Sequence, residues 1–275
     1  MKYQLSIIAR TPFLLLLFSC GFLFAFPSFA VAVPDVDEIM HRAFNRDQPT
    51  TTSAIIEMKL LDKNGNQRIR RLKSLIKREN DITKRIFFFL DPPEVKNSAF
   101  LTFDYLTAER EDEQWIYLPA HRKTRRVSSS KRSGSFMGSD FSYGDLTQKS
   151  VDEYQFKILK ILDQGDYQEW AIEALPTSED INLRDGFSKS LYIVRQDNFL
   201  ITKIVQWINK SNKLKYFEIQ ELKQLDGYLI PVKVQVKTVS DGTILHETIL
   251  TTSEIKINQP LPENLFSIRT LEKGL

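Results

Sequence analysis

The chain has 275 residues, with 38 Lys and Arg against 35 Asp and Glu, 42% hydrophobic residues and 27% charged residues. This composition excludes a disordered chain, and the near balance of charge argues against a protein that coats nucleic acid or carries an acidic tail. Cys20 is the single cysteine and lies near the N-terminus, which excludes a disulfide scaffold and a cysteine-ligated metal site.

The N-terminal segment has the pattern of a secretory signal peptide. Lys2 and Arg10 precede an apolar run over residues 13–26, and small residues then lead up to Ala30 and Ala32. The run is shorter than the roughly 20 residues of a membrane span. The sequence therefore predicts cleavage after Ala30 or Ala32 and export of the remaining chain.

The predicted organisation is a signal peptide over residues 1–32 followed by one domain over residues 33–275. Two alternatives remain open for the leader. Residues 17–21 loosely resemble a bacterial lipobox, which would leave Cys20 acylated, or the apolar run stays uncleaved as an anchor.

The first predicted element of the domain is an amphipathic helix. Asp35 is a candidate N-cap, with Glu38 three residues later as in a capping box. Apolar residues then recur at helical spacing as far as Phe44, and Pro49 closes the element.

Most of the remaining chain alternates between apolar and polar residues. The alternation from Ala54 to Leu60 precedes Asn64-Gly65, a strong hairpin signal. Further strands are predicted around residues 70–78, 82–90, 100–106 and 114–118, and turn sequences at 164–165, 197–198, 209–212, 226–227 and 241–242 separate the later ones. This spacing predicts an antiparallel meander of about ten strands that pair in chain order.

A long loop over residues 122–150 interrupts this pattern. It is basic at first, then rich in Ser and Gly, and then aromatic from Phe136 to Leu146. Loops of this length inside a compact β domain are usually functional or disordered, and the apolar side chains favour a packed loop. We expect residues 140–146 to form one helical turn that lies across the sheet.

Three segments in and before this loop resemble a known family. They are Trp115-Ile116-Tyr117-Leu118-Pro119-Ala120, Arg125-Arg126-Val127 and the run from Phe136 to Leu146, FMGSDFSYGDL. Together with Asp91-Pro92-Pro93 and the hairpin from Gln220 to Pro231, they resemble the LolA-like outer membrane lipoprotein-sorting protein family over residues 33–270.

The resemblance implies a mainly β fold: a single incompletely closed antiparallel β-barrel, a LolA/LolB-like half-barrel, with a short N-terminal helix and a covering loop or helix. It also implies a periplasmic carrier or chaperone. Such a protein binds lipid or lipoprotein acyl chains in an apolar concavity, needs no cofactor, and moves its cargo between the inner and outer membranes. The implied partners are an inner-membrane exporter of hydrophobic compounds and an outer-membrane acceptor.

Apolar contact alone would suffice for such binding, because each buried CH₂ group contributes about 0.8 kcal/mol. The candidate cavity residues are Phe88, Phe100, Trp115, Tyr117, Phe136, Met137, Phe141, Tyr143, Trp170 and Trp207. The alternative is that these side chains form an ordinary β core. The segment Phe136–Leu146 is the candidate gate.

A basic run is the candidate docking surface for anionic headgroups or an acidic partner. It contains Arg122, Lys123, Arg125 and Arg126, and each such charge near an anionic surface is worth about 1 kcal/mol. The alternative is a solvated hairpin, or ion pairing with the acidic segment 109–113.

Candidates for catalysis are few. Asp140 and Asp145 could form a carboxylate pair, but capping of the helical turn or pairing with Arg125 and Arg126 is the favoured role. The three histidines show no metal-binding spacing, and the serines at 128–130 lack a nucleophile motif.

We therefore expect a protein that is not an enzyme. The alternative to a carrier is a non-catalytic periplasmic adaptor module of an exporter or envelope complex, with a core that its own side chains fill.

Overall fold

The computed structural model describes residues 35–106 and 110–274. The predicted signal peptide over residues 1–32, with Cys20, lies outside the described residues, so its cleavage stays a prediction. The helices are α1 (Val36–Phe44), α2 (Glu179–Asp185) and α3 (Ile268–Lys273). The strands are β1 (Thr51–Asp62), β2 (Gln67–Arg78), β3 (Ile82–Asp91), β4 (Ala99–Tyr105), β5 (Glu113–Leu118), β6 (Lys123–Arg126), β7 (Tyr154–Asp163), β8 (Gln168–Pro176), β9 (Phe187–Arg195), β10 (Ile201–Ile208), β11 (Lys213–Leu225), β12 (Tyr228–Ser240) and β13 (Thr243–Ile257).

The described strands form one antiparallel sheet in the order β6-β5-β4-β3-β2-β1-β13-β12-β11-β10-β9-β8-β7. The first and last strands pair in the middle of this sheet, whereas β6 and β7 form its two edges. The sheet is therefore not closed, which confirms the predicted incompletely closed antiparallel β-barrel with its N-terminal helix and covering loop.

Two details of the predicted meander were wrong. The sheet has thirteen described strands rather than about ten, and pairing does not follow chain order throughout, since β1 pairs with β13 and β6 does not pair with β7. The strand β6 was missed because its sequence, Lys123 to Arg126, has no apolar alternation. The pairing of the chain's two ends is a long-range contact that local periodicity does not report.

Cross-strand pairing defines two faces of the sheet, because directly paired residues in antiparallel strands share a face. One continuous face follows the pairs Phe100–Phe87, Leu72–Ile56, Met58–Leu250, Leu250–Val234, Val236–Phe217, Phe217–Ile204, Ile204–Tyr192 and Tyr192–Ile172. We call it the inner face. Side chains one position along each strand lie on the opposite, outer face.

The helix α1 covers one part of the inner face, and its prediction is confirmed. Asp35 accepts a hydrogen bond from the backbone N–H of Asp37 at 3.4 Å, and Asn45 follows the last turn. Ile39 and Met40 are fully buried against strands β7 to β10. Burial of each such side chain stabilises the fold by about 1.5–3 kcal/mol, so the helix holds this half of the sheet together.

The helix α3 covers part of the outer face and was not predicted. Ser267 caps it by accepting from the N–H of Thr270 at 3.2 Å, and Leu271 is fully buried. Leu271 and Phe266 pack against strands β2 to β5 in a separate cluster. A six-residue helix spans fewer than two turns, so its periodicity is too short to recognise in the sequence.

Within the described residues, no helix combines the length and the apolar character that crossing a lipid bilayer requires.

Candidate functional site

The segment over residues 127–153 joins the two edge strands by crossing the inner face, and we call it the plug loop. Its predicted helical turn is present as a 3₁₀ turn at Tyr143–Leu146. Phe136 and Phe141 are buried, whereas the flanking residues 128–131 are exposed. The loop is therefore packed through its middle and free near its start.

Aromatic contacts hold the plug loop on strands β3 and β4. The ring of Phe136 lies 5.1 Å from that of Phe100 and 6.3 Å from that of Phe87, both edge-on. Tyr143 lies 5.7 Å from Phe136 on the loop itself. Edge-to-face pairs contribute about 0.5–1.5 kcal/mol each beyond their buried area. The loop thus fills this part of the inner face with its own side chains.

Asp140 anchors the plug loop to the other half of the sheet. Its carboxylate accepts hydrogen bonds from Thr238 Oγ1 at 2.8 Å and Thr248 Oγ1 at 2.9 Å, and the ring Nδ1 of His246 lies against it. The backbone N–H of Asp140 donates to Thr248 Oγ1 at 3.0 Å. A buried carboxylate needs such donors, because an unpaired one is costly to desolvate.

Asp145 forms the second carboxylate anchor. It accepts from the N–H of Ser142 at 2.6 Å in a capping box, and it forms an ion pair with Lys215 of β11. Burial alone would raise the pKa of Asp145. The charge of Lys215, with hydrogen bonds from Lys215 and Ser142, outweighs burial and lowers the pKa of this carboxyl.

The predicted capping role of Asp145 is therefore present, but the alternative pairing with Arg125 and Arg126 was wrong. Lys215 takes the place of those arginines, and Asp140 is bound by threonines and a histidine. Within the described chain, Arg126 pairs instead with Glu113 at 3.6 Å, as the acidic segment suggested. The reason is topological: the plug loop turns away from β6 and onto β11 to β13.

Three further side chains bind backbone carbonyl groups of the plug loop. Arg70 of β2 donates to the carbonyl of Met137, Arg85 of β3 to that of Leu146 at 3.1 Å, and Gln114 of β5 to that of Tyr143 at 2.9 Å. These donors come from strands on the opposite side of the sheet from β11 to β13. The plug loop therefore bridges the two halves of the inner face.

A charged cluster around the buried Asp185 fixes the end of the plug loop beside α2. Asp185 binds Lys149 at 3.0 Å and Arg184 at 3.0 Å, and it accepts from the hydroxyl of Tyr154. Burial acts to raise the pKa of Asp185, but Lys149 and Arg184 lower it overall. Arg184 also forms a bidentate ion pair with Glu153, in which its two terminal nitrogens donate to the two carboxylate oxygens at 2.5 and 2.8 Å. Every charged side chain of the cluster has a partner of opposite charge, which indicates a structural role for the cluster.

The ten predicted cavity residues do not share one surface. Phe100, Phe136, Met137, Phe141 and Tyr143 form or adjoin the inner-face cluster under the plug loop. Phe88, Trp115 and Tyr117 belong to the outer-face cluster under α3, Trp170 packs with α1, and Trp207 lies on the outer face with Lys189 Nζ 4.4 Å from its ring. One cavity cannot contain all ten, because adjacent strand residues point to opposite faces. Ligand binding by any of them stays a prediction.

An apolar strip lies between the α1 cluster and the plug-loop cluster on the inner face. Its side chains are only partly buried: they are Ile56, Leu250, Val234, Phe217 and Ile204. Sequence reasoning missed the four aliphatic residues of this strip because it favoured aromatic ones, and it did not single out Phe217. The alternation of valines with lysines and glutamine in β12 was the available signal.

The outer face carries an open groove of about 530 Å³ over strands β7 to β11. Ile193 and Leu222 contribute apolar surface, and Glu169, Arg195 and Lys203 contribute charge. Arg195 already pairs with Asp197, Lys203 with Glu218, and Glu169 accepts from Thr202 at 2.7 Å. The groove therefore offers no uncommitted charge for a ligand.

The predicted docking residues Arg122, Lys123, Arg125 and Arg126 are all exposed on or beside the edge strand β6. Docking by these residues stays a prediction. In the described part of the chain, no group of His, Cys, Asp and Glu side chains is arranged to hold a metal ion.

Comparison with known proteins places the chain among relatives of the same architecture. A family profile described as "Uncharacterized protein" matches residues 81–273. An outer membrane lipoprotein-sorting protein domain from Vibrio parahaemolyticus is 30% identical, with 86% of this chain and 97% of that one covered at a TM-score of 0.74. No curated protein has a significant sequence match to the chain.

Two more distant structures share the fold. A DUF1329 family protein from Desulfovibrio piger is 21% identical, covering 86% of this chain and 97% of that one at a TM-score of 0.75. A LolA superfamily protein from Nitrosomonas europaea is 17% identical, covering 86% and 99% at a TM-score of 0.63. The open antiparallel sheet is thus common to all three structures.

Proposed function

Because the chain belongs to the LolA-like outer membrane lipoprotein-sorting protein family, we propose that it is a periplasmic carrier for the acyl chains of a lipid or lipoprotein. The apolar strip on the inner face is the observation that carries this proposal. Its five aliphatic and aromatic side chains remain partly exposed between two well-packed clusters. A contiguous apolar surface that the fold covers only in part can accept an apolar ligand.

The hydrophobic effect is large enough to hold an acyl chain without a covalent bond or a catalytic step. Complete burial of a sixteen-carbon chain contributes about 12 kcal/mol, and partial burial on the strip contributes a fraction of that. A carrier must also release its cargo, so incomplete burial suits transfer between an inner-membrane exporter and an outer-membrane acceptor. The plug loop would shift to deepen or open the strip, which is the gating role predicted for Phe136–Leu146.

The basic edge strand β6 supports a second part of the proposal, which is docking to an anionic membrane surface. Arg122, Lys123, Arg125 and Arg126 project from one short edge strand and the turn before it. A short, charged edge strand does not favour pairing with another sheet, so contact through charge is the better use of this edge.

A filled core favours the alternative function, a non-catalytic adaptor module of an envelope complex. Phe136 is 2% exposed and occupies the space beneath the plug loop. If the plug loop never moves and the strip never binds lipid, the inner face has only a structural role.

Two adjacent residues of β13 provide a matched test. Leu250 lies on the apolar strip, whereas Ile249 lies on the outer face, and both are partly buried. We expect the protein purified from the periplasmic fraction to carry a stoichiometric lipid mass in native mass spectrometry. We expect Leu250→Gln to reduce that load at least fivefold and Ile249→Gln to leave it unchanged.

One outcome would contradict the carrier, and a second would contradict the apolar strip as its binding site. One is a lipid-free mass that persists after incubation with envelope lipids, which would favour the adaptor. The other is an equal loss of lipid in both variants, which would place binding elsewhere than the inner face.

A further inference from the structure

Four polar side chains form a compact group on the inner face, across strands β11 to β13. Lys215 pairs across the strands with Thr238, and Thr238 pairs with His246. Thr248 lies two residues beyond His246 and therefore on the same face. We call these residues Lys215, Thr238, His246 and Thr248 the donor row.

Every member of the donor row binds a carboxylate of the plug loop. Thr238, His246 and Thr248 contact Asp140, and Lys215 contacts Asp145. The sheet thus provides the donors and the loop provides the anions. Thr248 is fully buried and the Lys215 side chain is 11% exposed beneath the docked loop, so a ligand that takes the place of the loop covers the same donors.

Apolar side chains lie directly beside the donor row. Val236 pairs with Thr248, and Phe217 pairs with Val236. On the plug loop, Phe141 follows Asp140 and its ring lies 6.1 Å from that of Phe217, edge-on. The loop therefore places a carboxylate on the donors and an apolar group on the neighbouring strip, which is the arrangement of an anionic amphiphile.

We propose that the donor row is a headgroup site for an anionic amphiphile, and that the carboxylates of Asp140 and Asp145 occupy this site in the absence of ligand. The ligand class is an acyl chain that ends in an oxyanion, either a carboxylate or a phosphate. This inference rests on the proposed function and extends it, since acyl binding alone requires no headgroup recognition.

The physical reason is the cost of buried donors without acceptors. A neutral amphiphile that displaces the plug loop leaves Lys215 and Thr248 unpaired, whereas an oxyanion replaces the carboxylates that they lose. Hydrogen bonds between charged partners are also stronger than neutral ones. The donor row should therefore select anionic over neutral amphiphiles that carry the same chain.

The Lys215–Asp145 ion pair provides the test, because it can be broken from either side. Competition against a fluorescent acyl probe would give affinities for palmitate, palmitoyl lysophosphatidylglycerol and neutral monopalmitoylglycerol. In the natural protein we expect both anionic ligands to bind about tenfold more tightly than the neutral one. Palmitate and the lysophospholipid distinguish a carboxylate from a phosphate headgroup.

The two variants should change the ratio of anionic to neutral affinity in opposite directions. Asp145→Asn leaves Lys215 free for the ligand, so we expect the ratio to rise at least threefold. Lys215→Met removes the ligand's partner, so we expect the ratio to fall about tenfold. If a substitution only loosens the plug loop, it changes the affinities for anionic and neutral ligands by the same factor. That factor cancels in the ratio of the two affinities.

Thermal unfolding followed by circular dichroism checks that both variants fold. If one does not, Asp140→Asn and Thr248→Val form a second pair with the same opposite expectations. A ratio that moves alike in both members of a pair, or equal affinities for anionic and neutral ligands in the natural protein, would overturn the headgroup site while leaving the carrier intact. Failure of every amphiphile to bind would instead overturn the proposed function.

Discussion

Gly186 shows how one residue positions the plug loop. It ends α2 in the left-handed conformation, with φ at +84°, where glycine has no steric penalty. A Cβ atom at this position would lie 2.7 Å from Cβ of Ser133, so the helix end and the loop are in close contact. The backbone N–H of Asn209 also donates to the carbonyl of Gly186 at 3.0 Å. One glycine thus brings α2, the plug loop and the β10–β11 turn together.

We expect Gly186→Ala to destabilise the protein more than Gly165→Ala. Both residues have a positive φ, and the left-handed conformation costs an alanine about 1–2 kcal/mol at either site. Only Gly186 has a neighbour within contact distance, since the space around Gly165 is open. Urea unfolding of the two variants would measure the difference, which we expect to exceed about 1 kcal/mol. Equal losses would show that Ser133 moves aside freely.

At the scale of elements, the plug loop depends on two carboxylates that reach strands far away in the sequence. Asp140 and Thr238 are 98 residues apart, and Asp145 and Lys215 are 70 apart. Such contacts require strands β11 to β13 to be paired in this register, so the position of the loop depends on the assembled inner face. The loop's aromatic residues fill space, whereas its carboxylates fix its position along the strands.

Acid should weaken this docking through Asp145. Because its pKa is lowered in the fold, its carboxylate contributes stability that is fully present above the ordinary Asp pKa of about 4 and is lost as the pH falls through the lower folded value. We expect Asp145→Asn to cost about 3 kcal/mol at pH 7, since Lys215 loses its partner. The variant should lose less further stability between pH 7 and pH 3 than the natural protein.

Asp197→Asn is the matched control for this prediction. Asp197 likewise pairs with a cation, Arg195, and the hydrogen bond from Arg195 lowers the pKa of Asp197, but the Asp197 side chain is 49% exposed. An exposed pair contributes less than about 1 kcal/mol. Melting temperatures measured at both pH values would give the comparison. The same pH dependence in Asp145→Asn and the natural protein would show that Asp145 does not hold the loop.

At the scale of the whole molecule, the two edges of the sheet differ in character. The edge strand β6 has four residues, KTRR, and follows the exposed Arg122. The edge strand β7 has ten residues, contains Lys157 and Lys160, and exposes Leu159 and Ile161 at about half of their surface. We therefore expect an anionic membrane to bind at the β6 edge, which has the higher density of cationic side chains.

We expect Lys123→Gln with Arg125→Gln to weaken binding to vesicles that contain phosphatidylglycerol by about 2 kcal/mol, or roughly thirtyfold. Lys157→Gln with Lys160→Gln removes the same net charge from the opposite edge and should change binding less than threefold. Vesicle flotation at low ionic strength would measure both. Equal weakening would indicate a response to net charge, without a docking edge.

Much of this fold follows from the sequence alone. The helix from Val36 to Phe44, the hairpin at Asn64-Gly65 and the helical turn at Tyr143–Leu146 are local, and each depends on residues within a few positions of one another. The family resemblance, carried largely by the plug loop and the strand before it, indicated the open antiparallel sheet.

Only the tertiary structure decided which side chains meet. Phe88 and Phe100 are both apolar strand residues, but the pairing register places them on opposite faces. Likewise, nothing near Asp140 in the sequence indicates Thr238, His246 or Thr248. Periodicity is a property of neighbouring residues, whereas a site depends on which strands pair and in which register. In this chain, β1 pairs with β13 and the plug loop crosses the face between the two edges, so the candidate site is a product of long-range pairing.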